Sequence, residues 1–167
     1  MQLLEKFVYI VVICLGLTST VVGEESKGTL KFDSTQPLEI TSSDLVLEQS
    51  IGHATFTGDV IAKQGDLILT ATKVLVEYLM ENGEMTGEMK RLLASGGVTI
   101  INALQAAEAT EVVYDVAKDT IIMVGNVLVT EGASATSGNK LTINLTTGSR
   151  RMEGNVRTII ISDKKSE

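Results

Sequence analysis

The feature that most limits how this chain can fold is a repeat that runs through most of its length. A Gly-x-Val motif occurs at residues 58–60, 96–98, 125–127 and 154–156, with glycine spacings of 38, 29 and 29 residues. Other residue types recur at fixed offsets from these glycines. Ala71, Lys73, Val74 and Val76 in one unit correspond to Ala109, Glu111, Val112 and Tyr114 in the next. Such a period is typical of a protein that stacks one small structural unit several times.

Within each unit the hydrophobic period is two, which indicates half-buried β-strands. Phe56 and Val60 share one phase, whereas Thr55 and Thr57 share the other. Valine, isoleucine and threonine, which favour strands, are abundant in these segments. Each unit is therefore predicted to be a pair of strands, and the fold class to be all-β. The turns are expected near Gly65, Asn102 and Gly132.

The glycine of each motif falls in the middle of a strand, where glycine is unfavourable unless the backbone bends or packs closely. Its recurrence predicts a bend repeated along the structure. The single long spacing of 38 residues is attributed to a loop at residues 80–91. Residues 104–109 are interpreted as strand, and a last, apolar strand is expected from Gly154 to Ile161.

Length and charge restrict the class of protein further. The 167 residues suffice for one domain, and a net charge of −7 argues against binding to nucleic acid. The apolar segment near the N-terminus predicts a signal peptide at residues 1–23, although a retained membrane anchor is the alternative. The domain itself is then residues 24–167. Cys14, the only cysteine, lies in the leader, so no disulfide is expected in the mature chain.

Residues that could carry catalysis are few. His53 is the only histidine, so the chain has neither a zinc-ligand cluster nor the histidine and elbow motif of a serine hydrolase. Most carboxylates, Asp59 among them, fall on the polar phase of the strands and are interpreted as a solvated outer face. We therefore expect a protein without enzymatic activity, cofactor or metal.

Three segments of the sequence carry a resemblance to a known family. They are QPLEITSSDLVLEQ, TFTGDVIAKQGDLILTATKVLV and GNVLVTEGASATSGNKLTI. Together they resemble the periplasmic lipopolysaccharide-transport bridge proteins of the LptA (OstA-like) family, over roughly residues 30–160. The resemblance implies an open, twisted β-jelly roll whose apolar groove shields the acyl chains of lipopolysaccharide between the inner and outer membranes.

The same resemblance implies a set of groove-lining residues on the apolar phase. Motif matches place Leu38, Ile40, Phe56, Val60, Val127 and Ile143 there. Repeat register adds Leu69, Val76, Val98, Ile100, Tyr114, Val129 and Val156. For each of these residues, packing in a closed core is the alternative to contact with lipid.

Partners are likewise implied by the resemblance. They are lipopolysaccharide, an inner-membrane-anchored LptC-like component, an LptD-like outer-membrane translocon and further copies of the chain joined end to end. Two other functions stay open at this point. In the first, the protein is an LptC-like anchored member of the same export machine. In the second, it is a secreted structural β-repeat protein that self-assembles without a ligand.

Overall fold

The fold is a single antiparallel sheet of ten strands. The structure, a computed structural model, describes residues 36–102 and 105–161. The strands follow the chain order and, apart from one short 3-10 turn at Gln49–Ile51, are the only regular elements in the described ranges. They are β1 (Glu39–Thr41), β2 (Asp44–Glu48), β3 (His53–Gln64), β4 (Leu67–Glu81), β5 (Glu84–Asn102), β6 (Gln105–Asp115), β7 (Thr120–Glu131), β8 (Ser134–Asn144), β9 (Arg150–Glu153) and β10 (Arg157–Ile159).

Neighbouring strands pair in sequence order from β3 to β8, which confirms the all-β prediction. At one edge β1 and β2 both pair with β3, and at the other β9 and β10 both pair with β8. Within the described ranges the two edges do not pair with each other, so the sheet stays open. The predicted signal peptide, residues 1–23, and Leu104 lie outside these ranges, whereas residues 105–109 form strand as predicted.

A line of register breaks crosses the whole sheet and divides it in two. The breaks fall between Thr57 and Val60, Thr70 and Lys73, Ser95 and Val98, Glu108 and Glu111, and Val124 and Val127. We call the part containing β1, β10 and the Gly65 turn half-sheet A, and the part containing β2 and β9 half-sheet B. Buried side chains from both halves form one hydrophobic cluster, so the two half-sheets face each other across a common interior.

The motif glycines produce this bend, as the sequence predicts. Gly58, Gly96, Gly125 and Gly154 all have positive φ, and so do the residues that follow them, which are Asp, Gly, Asn and Asn. These are the residue types that best tolerate the left-handed region. Two consecutive left-handed residues in each unit insert a bulge, and the bulges stack from strand to strand.

A small polar residue faces each motif glycine, from the bend between β1 and β2 at Gly58 and from the neighbouring strand at the other three. The Thr72 hydroxyl donates to the Gly96 carbonyl at 2.7 Å, and the Ser43 backbone N–H donates to the Gly58 carbonyl at 2.9 Å. A Cβ added at Gly96 would lie 2.6 Å from the Thr72 Cβ. Close approach as well as backbone conformation therefore requires glycine at this position.

The prediction of a loop at residues 80–91 is wrong, because this segment is a β-hairpin. Strands β4 and β5 continue past their neighbours, with Met80 paired to Met85. Asn82 (φ 51°) and Gly83 (φ 83°) form the turn. Asn-Gly is the preferred sequence for a two-residue hairpin turn, so the extra nine residues lengthen two strands instead of forming a loop.

The predicted last strand, residues 154–161, is also longer than the observed one. Gly154 and Asn155 form a bend between β9 and β10, and β10 covers only Arg157–Ile159. The physical reason is the motif itself. Like each earlier copy, this glycine divides a strand between the two half-sheets, and β9 and β10 are its two parts.

Candidate functional site

The interior between the half-sheets forms a cleft that runs across the strands from the β1 edge to the β10 edge. Residues paired directly across antiparallel strands point to the same face, so the register defines inward-facing rows. One inward row of half-sheet A contains Ala62, Leu69, Ile100, Ala107 and Val129. The row that faces it from half-sheet B contains Ala54, Val76, Leu92, Tyr114, Ile121 and Ile143. The walls of the cleft are thus apolar along almost their whole length.

The cleft is packed shut in its middle and open at both ends. Val60, Leu69, Val98, Ile100 and Val127 are at most 1% exposed. These five residues, all predicted to line the groove, belong to the closed core of the molecule. That these residues contact a ligand stays a prediction.

A cavity of about 600 Å³ lies at the end near β1, and we call it the β1 cavity. Five residues predicted to line the groove surround it. They are Leu38, Ile40, Phe56, Val76 and Tyr114. Tyr78 and Met89 from the β4–β5 hairpin complete its apolar wall. The hairpin therefore forms part of the wall, which the loop prediction did not provide.

A second cavity, of about 310 Å³, lies at the end near β10, and we call it the β10 cavity. Val129 and Ile143, both predicted, line it together with Leu141 and Met152. Met152 was missed, although the repeat contains the signal for it. It stands two residues before its motif glycine, as Phe56 stands before Gly58.

Val156 is the one predicted residue that lies neither at a cavity nor in the closed core, with 51% of its surface exposed. In the earlier units the equivalent valines, Val60, Val98 and Val127, are paired to a following strand and are fully buried. Val156 belongs to the last unit within the described ranges, and no following strand among the described residues covers it. The pattern that predicts its inward phase does not show where the repeat ends.

The charged groups of the two cavities differ. Glu88 is the only charged residue that lines the β1 cavity among the described residues. Tyr114 lies there too, and burial, with a smaller contribution from the negative charge of Asp119, raises the pKa of its phenol. The phenol therefore remains neutral at physiological pH. In the β10 cavity, Arg150 lies 3.9 Å from the carboxylate of Glu131.

Both edges of the open sheet expose apolar side chains. On β2 these are Leu45, Val46 and Leu47, which are between 48% and 57% exposed. At the opposite edge Ile159, Ile160 and Ile161 are between 48% and 77% exposed. An unpaired strand with apolar side chains is a surface on which a further strand can pair.

Neither a cluster of metal-binding side chains nor a membrane-spanning helix occurs in the part of the chain that the structure describes. No group of three or more His, Cys, Asp or Glu residues that could hold a metal ion occurs among residues 36–102 and 105–161. The same residues contain no helix that is long and apolar enough to span a membrane. His53, the sole histidine, is half-buried at the start of β3.

Comparison with known proteins relates this architecture to one family. The family model for the LptA/(LptD N-terminal domain) LPS transport protein matches residues 39–149. The lipopolysaccharide export system protein LptA of Haemophilus influenzae is 26% identical over 157 residues, covering 88% of this chain and 90% of its own. An uncharacterized protein of Rhizobium meliloti is 27% identical over 128 residues, covering 74% of this chain and 69% of its own.

The fold also matches a solved structure. The crystal structure of LptH, the LptA-homologous periplasmic component of the lipopolysaccharide transport device of Pseudomonas aeruginosa, superposes with a TM-score of 0.68. The match covers 79% of this chain and all of that one, at 15% sequence identity. At this identity the likeness concerns the fold, and it confirms the predicted open β-jelly roll.

Proposed function

Because this chain belongs to the LptA/(LptD N-terminal domain) family of LPS transport proteins, we propose that it carries lipopolysaccharide through the periplasm. The acyl chains of the lipid lie in the cleft between the two half-sheets, and its sugars remain outside. The observation that supports this most directly is an apolar cleft with a cavity at each open end. A purely structural protein would not need two such cavities, whereas the anchored alternative differs from this proposal at residues 1–23, which lie outside the described ranges.

The chemistry of the walls suits an acyl chain. Each methylene group moved from water into an apolar site contributes about 0.8 kcal/mol, so ten buried methylenes contribute about 8 kcal/mol. The fully packed middle of the core contains no comparable space among the described residues, so the ligand is expected at the ends first. Further penetration then requires the half-sheets to separate. Transport of this kind uses no catalytic group, which agrees with a family of transport proteins.

The partners follow from the two edges. We propose that the edge formed by β1 and β2 receives an inner-membrane-anchored LptC-like component or the preceding copy of this chain. The edge formed by β9 and β10 then faces the next copy or an LptD-like translocon. The exposed side chains of Leu45, Val46, Ile159 and Ile160 support this proposal, since strand pairing across the junction would bury them. A neighbour there would also cover Val156 and extend the cleft.

Photo-crosslinking in cells tests the position of the lipid. Ile40 lines the β1 cavity, whereas Glu39, its neighbour in β1, is exposed on the opposite phase. A photoreactive amino acid at residue 40 is expected to label lipopolysaccharide, and the same amino acid at residue 39 is the matched control. Equal labelling at the two positions, or labelling at neither, would contradict the proposed cleft.

A further inference from the structure

A row of side chains, polar except for Leu67, follows one lip of the cleft. It is the last inward-facing row of half-sheet A, defined by direct pairing across six consecutive strands. Its members are Gln64, Leu67, Asn102, Gln105, Glu131 and Ser134. The next row inward is the apolar one that contains Leu69, Ile100 and Val129. An amphiphile lying in the cleft would therefore meet polar side chains at the point where its acyl chains join the head group.

Two amides in this row are buried but only half satisfied. Gln64 is 7% exposed, and its Nε2 donates to the Gln36 carbonyl at 3.1 Å. Gln105 is 3% exposed, and its Oε1 accepts from Arg150 Nη2 at 3.5 Å. Within the described residues, Gln64 Oε1 and Gln105 Nε2 have no hydrogen-bond partner. A buried polar atom without a partner is unfavourable, and native structures contain few of them.

The two residues lie beside the two cavities. Gln64 lines the β1 cavity, and Gln105 contacts Arg150, which lines the β10 cavity. Three strand-to-strand steps separate Gln64 from Gln105, which is roughly 14 Å along the lip at about 4.8 Å per step. One atom is an acceptor that lacks a donor, and the other is a donor that lacks an acceptor. Both are uncharged.

We propose that this row is a hydrogen-bonding track for the uncharged linkages at the root of a lipid's acyl chains. Gln64 accepts from an amide N–H or a hydroxyl, and Gln105 donates to a carbonyl oxygen. An acceptor at Gln64 disfavours a phosphate, and the charge of Arg150 is already opposed by Glu131 at 3.9 Å. The inference rests on the proposed function and adds the linkage chemistry that the cleft selects.

Three uncharged amphiphiles test the acceptor half by calorimetric titration of the full chain. They are N-decanoylglucamine, its N-methyl analogue without an amide N–H, and the N-methyl analogue with a hydroxyl at carbon 3 of the acyl chain. We expect the first or the third to bind about fivefold to tenfold more tightly than the second, the gain from one hydrogen bond. Preference for the first assigns the donor to the amide, and preference for the third assigns it to the hydroxyl.

Variants and spectroscopy complete the test. Gln64→Met should remove the preference, whereas Lys63→Met, on the exposed phase of the same strand, should retain it. In the nuclear magnetic resonance spectrum of the wild-type chain, the side-chain amide resonance of Gln105 should shift on addition of any of the three probes. This measurement uses no variant, so it does not depend on how a variant folds. Equal affinities combined with an unmoved Gln105 resonance would overturn the track and leave the apolar cleft intact. If no probe binds at all, both the track and the proposed function fail.

Discussion

Replacing Gly96 with alanine tests whether the stacked glycines bend the sheet. The left-handed φ of +86° costs an alanine about 1–2 kcal/mol. The new Cβ would lie 2.6 Å from the Thr72 Cβ, and overpacking of that kind typically costs about 1–3 kcal/mol. Displacing Thr72 also weakens its 2.7 Å hydrogen bond to the Gly96 carbonyl, at about 1 kcal/mol. We expect Gly96→Ala to lower the free energy of unfolding by about 3–6 kcal/mol.

The adjacent glycine is a matched control. Gly97 has almost the same φ, +79°, but an added Cβ would meet no atom within 4 Å. Gly97→Ala should therefore cost only the backbone term of about 1–2 kcal/mol. Urea unfolding followed by circular dichroism measures both variants. In a Thr72→Gly background, where both the opposing Cβ and the hydroxyl are gone, the cost of Gly96→Ala should fall by about 2–4 kcal/mol. Equal costs for the two single variants would refute the contact argument.

Two further predictions concern pH and the open edge. Since burial raises the pKa of Tyr114 above 10.0, the folded state retains a proton that the unfolded state loses, so stability should fall as pH rises through about 10. The free energy of unfolding should therefore fall more steeply with pH in the wild type than in Tyr114→Phe. Equal slopes for the two proteins would contradict this. At the β10 edge, Ile160→Asp should abolish the proposed end-to-end association in analytical ultracentrifugation while changing stability by less than about 0.5 kcal/mol. The control Ile101→Asp, at an exposed position in the central strand β5, should leave association unchanged.

Much of the architecture could be predicted because one local rule is repeated. Alternation places Phe56, Leu141 and Ile143 on the inward phase, and the fixed offset of Gly58 and Gly125 predicts the bend. The rule also contains information that alternation alone overlooks. The residue after each glycine is Asp, Gly or Asn, which indicates that it too adopts a left-handed conformation.

The errors occur where a local pattern depends on what packs next to it. The Asn-Gly pair at residues 82–83 predicts a hairpin, whereas the glycine spacing of 38 residues, taken alone, favours a loop. Gln64 continues the inward phase of Val60 and Ala62, yet its polarity argues for the surface. Val156 has the right phase but lacks a following strand. Which apolar residues meet a ligand instead of one another depends on the separation of the half-sheets, which periodicity does not encode.

Because each bend is produced by its own glycine, every two-strand unit adds the same width to the interior of this molecule. A two-strand unit widens the sheet by about 10 Å, twice the distance between neighbouring strands. Inserting or deleting one unit of 29 residues would leave the bends of the remaining units in line. The number of units therefore sets the size of the enclosed space. A chain of this design can be matched to a longer or shorter ligand by changing that number, with the residues of each wall unchanged.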